Sequence, residues 1–286
     1  MLKQRVITAL LLLAVLLPAL FSANKQYFMG LSLLMIAAGA WEWGRLNSRS
    51  ETVSVVAAVL FLLSGVAAVD AGWGSQALPG VWLVAGSAWV LLGAAMLHQG
   101  VHGWGRAPAL LRWLVGLGFL FVAWLALLQA HRIGVNFLLS ALVLVWAADV
   151  VAYFAGRALG GKFIHRKLAV AISPGKTWEG ALGGFVGVLV VAGLWLLWDR
   201  QHPDLAPSLH TLLWQRGGWV AFPAWAFLTA MSVVGDLVES LVKRSAGVKD
   251  SSGLLPGHGG VLDRVDALLP TLPLAMMLHS ILEGLA

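Results

Sequence analysis

Long apolar runs separated by short polar stretches set the pattern of this chain. The runs do not alternate with a period of two, nor do they confine apolar residues to one helical stripe. They are apolar all round for close to 20 residues at a time, the length at which a helix crosses about 30 Å of hydrocarbon. In lipid the backbone must satisfy its own hydrogen bonds, which leaves the helix as the natural form for such runs. Nine of them lie near residues 5 to 23, 27 to 44, 53 to 71, 77 to 97, 109 to 130, 134 to 155, 178 to 198, 218 to 238 and 265 to 284. The expected fold is an all-α, polytopic integral membrane bundle of about nine transmembrane helices. No fixed-period repeat, low-complexity tract or linker interrupts it, so residues 1–286 read as one membrane domain, with N-terminal spans to about 130 and a second part from about 134 to 286. The first run follows Lys3 and Arg5 and ends at Phe21-Ser22-Ala23, which is also the make-up of a removable signal peptide. Eight further spans follow it either way.

Composition agrees with the pattern. Mean hydropathy is +0.84 and only 11% of residues are charged, against about 25% in soluble domains. The absence of cysteine excludes disulfides, zinc–thiolate sites and cysteine nucleophiles. A net charge of +6 and a pI near 10.1 invite a nucleic-acid reading, but the placement of the charge does not support one. With the N-terminus cytoplasmic, 15 of the 19 Lys and Arg residues, Arg49 among them, fall on the cytoplasmic side, and only Lys25, Arg132, Arg200 and Arg216 fall on the other. That asymmetry follows the positive-inside rule and predicts an N-in topology with the C-terminus outside, in the periplasm. The remaining positive charge would attract anionic headgroups or nucleotides. The 15 Trp suit interfacial belts and core packing. Gly180, Gly183, Gly184 and Gly187 form overlapping small-xxx-small patterns that mark close helix packing. His98 and His102, one turn apart without other ligands nearby, read as loop residues.

Two cytoplasmic polar segments, about 156 to 177 and 239 to 264, exceed what crossing lipid requires. The connection near 199 to 217, on the other side, has similar length. Within or at the ends of spans stand Glu42, Asp149 and Asp236, and a carboxylate at a helix centre costs about 2.5 to 3.5 kcal/mol on insertion scales. For Glu42 and Asp149 a hydrated interfacial position and a functional one stay equally open. The stretch from Asp236 to Asp266 holds nine of the 32 charged residues. Asp236, Glu239, Ser240 and Lys243 share one helical face, a spacing that a surface ion-pair ladder would also use. The loop beyond adds Lys249-Asp250, then Pro256-Gly257-His258-Gly259-Gly260, whose glycines favour a turn with amides free to cradle phosphate oxygens. Asp263 and Asp266 follow on one face. Carboxylates, cations and glycines in this mixture suit divalent cations and phosphates.

From Ser240 to Asp266 the residues Ser-Leu-Val-Lys-Arg, four more, then Lys-Asp-Ser-Ser-Gly-Leu-Leu-Pro-Gly-His-Gly-Gly-Val-Leu-Asp-Arg-Val-Asp resemble the signature of phosphatidate cytidylyltransferases (CDP-diacylglycerol synthases), without departure from its pattern. Asp149-Val-Val-Ala-Tyr153-Phe-Ala-Gly-Arg157, the segment Ile172 to Gly180, and Ala40-Trp41-Glu42-Trp43 are also similar to that family. The resemblance implies the reaction of CTP with phosphatidic acid to give CDP-diacylglycerol and pyrophosphate, at the cytoplasmic face of the inner membrane. It further implies Mg²⁺, a second cation such as K⁺, and a homodimer among membrane lipids. Asp236 and Asp263 would hold the metal, with Asp250 and Asp266 as further ligands or supporting groups, and Lys243 would join the catalytic set. Lys243, Arg244, Lys249 and Arg264 would bind the CTP or lipid phosphates, although Arg244 and Lys249 also suit a topological anchor. His258, Gly259 and Gly260 would support the pyrophosphate or its turn. Asp149, Tyr153 and Arg157, spaced by four, and Ser173, Lys176 and Thr177 would complete the substrate site. Thr177 is also a candidate N-cap. A CTP-dependent lipid-alcohol kinase would need similar groups, and an ion-coupled transporter is the non-enzyme alternative.

Overall fold

The computed structural model describes residues 2–48 and 50–284; Arg49, counted above on the cytoplasmic side, lies outside them. In chain order the helices are α1 Leu2–Phe21, α2 Lys25–Asn47, α3 Glu51–Asp70, α4 Pro79–Arg106, α5 Ala109–Ile133, α6 Val135–Leu159, α7 Trp178–Gln201, α8 Leu209–Gln215, α9 Gly218–Ser245, α10 Leu262–Val265 and α11 Leu268–Gly284. Every predicted span has become helix. Seven segments are long and apolar enough to cross a membrane, among them Leu262–Gly284, which joins α10 to α11; Val6–Phe21 is a shorter apolar helix. α2, which carries Lys25, Glu42 and Arg45, is not among the seven.

Helix starts follow the local chemistry. Asn24, Ser50, Thr177 and Ser208 each cap a helix by accepting a hydrogen bond from a first-turn amide, satisfying donors that have no partner within the helix. Two sequence expectations change. α4 does not stop near residue 97 but continues to Arg106 through a bend at Gly100, whose φ of 68° only glycine adopts easily. His98 and His102 therefore sit on α4 on either side of that bend and are not loop residues. The connection 199–217 contains α8, whose Leu209, His210 and Leu213 are buried. An Asp199 network ties it down: the carboxylate accepts from Asn136 Nδ2, Ser208 N and Thr211 Oγ1 at 2.9, 2.9 and 2.6 Å.

α11 lies inside the bundle, packed against α4, α5, α6, α8 and α9, and is the most buried of the candidate spans. α1, α3 and α7 turn residues such as Leu11, Leu60 and Leu194 outward, where a bilayer would cover them. Indoles fill much of the core, with Trp82, Trp89 and Trp124 fully enclosed. The α6–α7 pair is the closest. An added Cβ would stand 2.7 Å from the Ala148 carbonyl oxygen at Gly184, and 2.2 Å from Ala155 Cβ at Gly183, so only glycine permits this separation. The two helices leave the bundle beside the end of α9 and the start of α10, and the polar residues gather there.

Candidate active site

Four helix ends and two loops enclose a cavity of about 740 Å³. α6 contributes Asp149, Tyr153 and Arg157, three successive turns of one face, and Arg157 Nη1 donates to Tyr153 Oη at 3.2 Å. The loop before α7 brings Lys176 and Thr177. α9 supplies Asp236, Ser240, Lys243 and Arg244, and the loop and helix that follow add Lys249, Asp250, Asp263, Arg264 and Asp266. Ser173, His258, Gly259 and Gly260 do not line it. Ser173 closes a tight turn, donating its amide to Ala169 O at 2.8 Å. Tyr153 is the one aromatic residue on the cavity wall among the described residues, and the tryptophans belong to other parts of the bundle.

The charges are interleaved. Lys176 Nζ meets Asp236 Oδ2 at 2.5 Å, and Ser240 donates to Asp236 Oδ1 at 3.3 Å. The column expected on α9 divides: Asp236 and Ser240 face the cavity, whereas Glu239 turns into the bundle and is 2% exposed. Lys243 joins the two sides, paired with Glu239 and, at 2.5 Å, with Asp263 Oδ1. A buried Glu239 without that ammonium would be an uncompensated charge.

Asp263 is held from its other side as well. Its Oδ2 accepts from Ser251 N, Ser251 Oγ and Gly260 N at 2.9, 2.8 and 2.8 Å. The glycine turn makes this possible. Gly257 and Gly259 have φ of 77° and 81°, and a Cβ on Gly260 would come within 2.0 Å of Ser251 Oγ. Of the turn amides expected to cradle phosphate, Gly260 N is committed to Asp263 and His258 N to the Leu255 carbonyl, and just beyond the turn Val261 N and Leu262 N bond to Glu42. Arg264 grips the same turn through two bonds to the His258 carbonyl, at 3.1 and 2.7 Å. Across the cavity, Glu179 Oε1 accepts from the amides of Gly161, Phe163 and Ile164 and pins the start of the other loop.

A divalent cation suits part of this set. Asp149, Asp236 and Asp266 lie within electrostatic reach of one another, and Lys176 within reach of Asp149; the Asp149 carboxylate forms no hydrogen bond or ion pair among the described residues. Lys176, ion-paired with Asp236, and Lys243 offset part of the mutual repulsion of these aspartates, and oxygen donors of this kind are what Mg²⁺ selects. No group of three or more His, Asp or Glu among the described residues is arranged to hold an ion alone. An ion here would need substrate phosphates and water to complete its shell.

Three side chains without a role assigned from the sequence organise the site. Glu42 was left open between a hydrated and a functional position, and it is completely buried against the signature loop. Ser251 and Glu179 lay inside the quoted motifs without an assigned role. Their signal was a polar residue next to backbone that has to turn, which spacing alone does not convert into a contact.

Comparison with known proteins points the same way. The profile described as the Cytidylyltransferase family matches residues 3–282. The chain is 37% identical over 281 residues to a phosphatidate cytidylyltransferase of Pseudomonas aeruginosa, covering 96% of this chain and 95% of that one. It is also 37% identical over 295 residues to the protein of the same name from Haemophilus influenzae, covering 96% of each. A Bacillus subtilis phosphatidate cytidylyltransferase shares 39% identity over 157 residues, 55% of this chain and 52% of that one. The chain therefore belongs to the cytidylyltransferase family.

Proposed function

We propose that this chain is a phosphatidate cytidylyltransferase, converting CTP and phosphatidic acid into CDP-diacylglycerol and pyrophosphate. The observation that carries the reading is the single cavity in which Arg157, Lys176, Lys243, Arg244, Lys249 and Arg264 alternate with five aspartates. A lipid phosphate is anionic near neutral pH and already nucleophilic, so the reaction needs no strong base. One of its oxygens bonds to the α-phosphorus of CTP, the bond from that phosphorus to the bridging oxygen breaks, and pyrophosphate leaves with the electron pair. The obstacle is bringing two polyanions together, which positioned cations overcome. Arg157, Arg244 and Lys249 are the cavity cations that bind phosphate most freely; Arg offers a fork suited to two oxygens. Lys176 pairs with Asp236, and Lys243 holds Asp263 in place.

The metal belongs to this proposal. Asp236 and Asp266, with Asp263 and Asp149 beside them and Asp250 at the rim, would hold Mg²⁺ together with substrate phosphates. The ion would supply charge neutralisation on the reacting phosphoryl oxygens. A second, monovalent cation such as K⁺ would sit beside the same aspartates. The cavity faces the cytoplasm of the inner membrane, where CTP is available, a reading supported by the Lys and Arg bias of the loops.

Purified protein in phosphatidic acid micelles with CTP labelled at the α-phosphate tests the reaction. Label should pass to the organic phase with equimolar release of pyrophosphate. Label that stays soluble, while γ-labelled CTP marks the lipid, would replace nucleotidyl transfer by phosphoryl transfer.

A further inference from the structure

Glu42 lies on α2, in the half of the chain that supplies no cavity wall, yet it is 0% exposed and makes four contacts with the signature loop. Its Oε1 accepts from Ser252 Oγ at 2.5 Å and Val261 N at 2.9 Å. Its Oε2 accepts from Leu262 N at 2.7 Å and meets Ser251 Oγ at 3.1 Å. The same Ser251 hydroxyl lies 2.8 Å from Asp263 Oδ2, so one proton is shared between two carboxylates. Val261 and Leu262 open the last helical segment, and their amides are donors that the helix itself cannot satisfy. A carboxylate there also meets the positive end of the helix dipole.

A charge inside a span is expensive unless fully bonded, and Glu42 is fully bonded only because the loop folds back over it. The dependence runs both ways. Gly260 has no side chain, and a Cβ there would stand 2.3 Å from Glu42 Oε1. Without the carboxylate, Ser251 would keep its bonds to Asp263, but Ser252 Oγ and the amides of Val261 and Leu262 would lose the acceptor that joins them.

We propose that Glu42 is a positioning residue, a buried anchor that fixes the signature loop from the far side and through Ser251 sets the place of Asp263. It does not touch substrate. The proposal rests on the function given above, because Asp263 matters only if this cavity is catalytic.

The test uses the full-length protein with Glu42→Gln, which keeps size and one acceptor but places an NH₂ group against donors. Expected results are a turnover number lowered at least tenfold with CTP half-saturation changed less than threefold. Amide hydrogen exchange should rise in 250–262, with the other helices unchanged. Combining Glu42→Gln with Ser251→Ala should lower turnover no further than the worse single change. Normal turnover in an active wild-type background, or full additivity with Ser251→Ala, would overturn the proposal. So would a lowered unfolding temperature with unchanged turnover per folded molecule. If Glu42→Gln does not insert, the pair Ser251→Ala and Ser252→Ala removes the two hydroxyl contacts from the loop side and is read by the same measurements. An inactive wild type would instead remove the functional reading on which this one rests.

Discussion

Asp263 accepts four hydrogen bonds, one from Lys243 and three from Ser251 and Gly260. Asp263→Asn keeps the shape but sets an amide NH₂ against donors on at least one side and leaves Lys243 with Glu239 alone. Turnover should fall on the order of a hundredfold, as when a preorganised electrostatic partner is removed, while the protein still inserts and elutes as folded. Near-normal turnover would exclude Asp263 from the chemistry. Arg157 is a different case, since its guanidinium contacts only Tyr153 Oη among the described residues. Charged hydrogen bonds contribute about 1.5 to 3 kcal/mol, so Arg157→Ala should raise the half-saturating concentration of CTP or phosphatidic acid about tenfold or more. Unchanged kinetics would leave Arg157 with a role in topology only. Both residues were legible in the sequence, one from the signature and one from its spacing of four with Asp149 and Tyr153. What the sequence did not display was Glu42 reaching across more than two hundred residues to the same loop.

At the scale of elements, the α6–α7 pair decides the shape of the cavity, because one of its sides hangs from these helices and the other from α9 and α10. Gly184 approaches the Ala148 carbonyl too closely for any side chain, whereas a Cβ on Gly193 of the same helix would meet nothing within 4 Å. Gly184→Ala should therefore destabilise by about 1 to 3 kcal/mol, the usual cost of overpacking, and Gly193→Ala should not. Thermal unfolding in detergent, compared for the two variants, checks this; equal midpoints would mean that the glycine row does not control the packing. The small-xxx-small spacing predicted a close approach, but not the partner. α8 was missed for a related reason. Its seven residues are too few for hydropathy to separate from loop, and it is held by Asp199 and Asn136, which come from two other helices.

For the whole molecule, the testable property is its orientation in the membrane. The chain contains no cysteine, so single introduced thiols report unambiguously. Gly253→Cys, in the exposed signature loop, should react with a membrane-impermeant maleimide only after cell lysis. Asp204→Cys, in the exposed connection between α7 and α8, should react in intact spheroplasts. Reaction of the Gly253 variant from outside would reverse the topology inferred from the Lys and Arg distribution. The folded chain adds one constraint: Thr8 Oγ1 donates to Pro256 O at 2.9 Å, so the beginning of α1 and the signature loop share one end of the bundle.

The sequence by itself determined the fold class, the positions of the spans and the two polar segments that face the cavity. These depend on local quantities, since transfer of about 20 apolar residues into lipid and the internal satisfaction of their backbone depend only on neighbours along the chain. The motif residues likewise stood out along the chain, and most of them line one cavity. Only the tertiary structure decided which side chains share a carboxylate, that Gly260 N bonds to Asp263 and the amides of Val261 and Leu262 to Glu42, and that Lys243 stands between Glu239 and Asp263. Those pairings depend on how helices rotate and approach, which packing sets across distant parts of the chain.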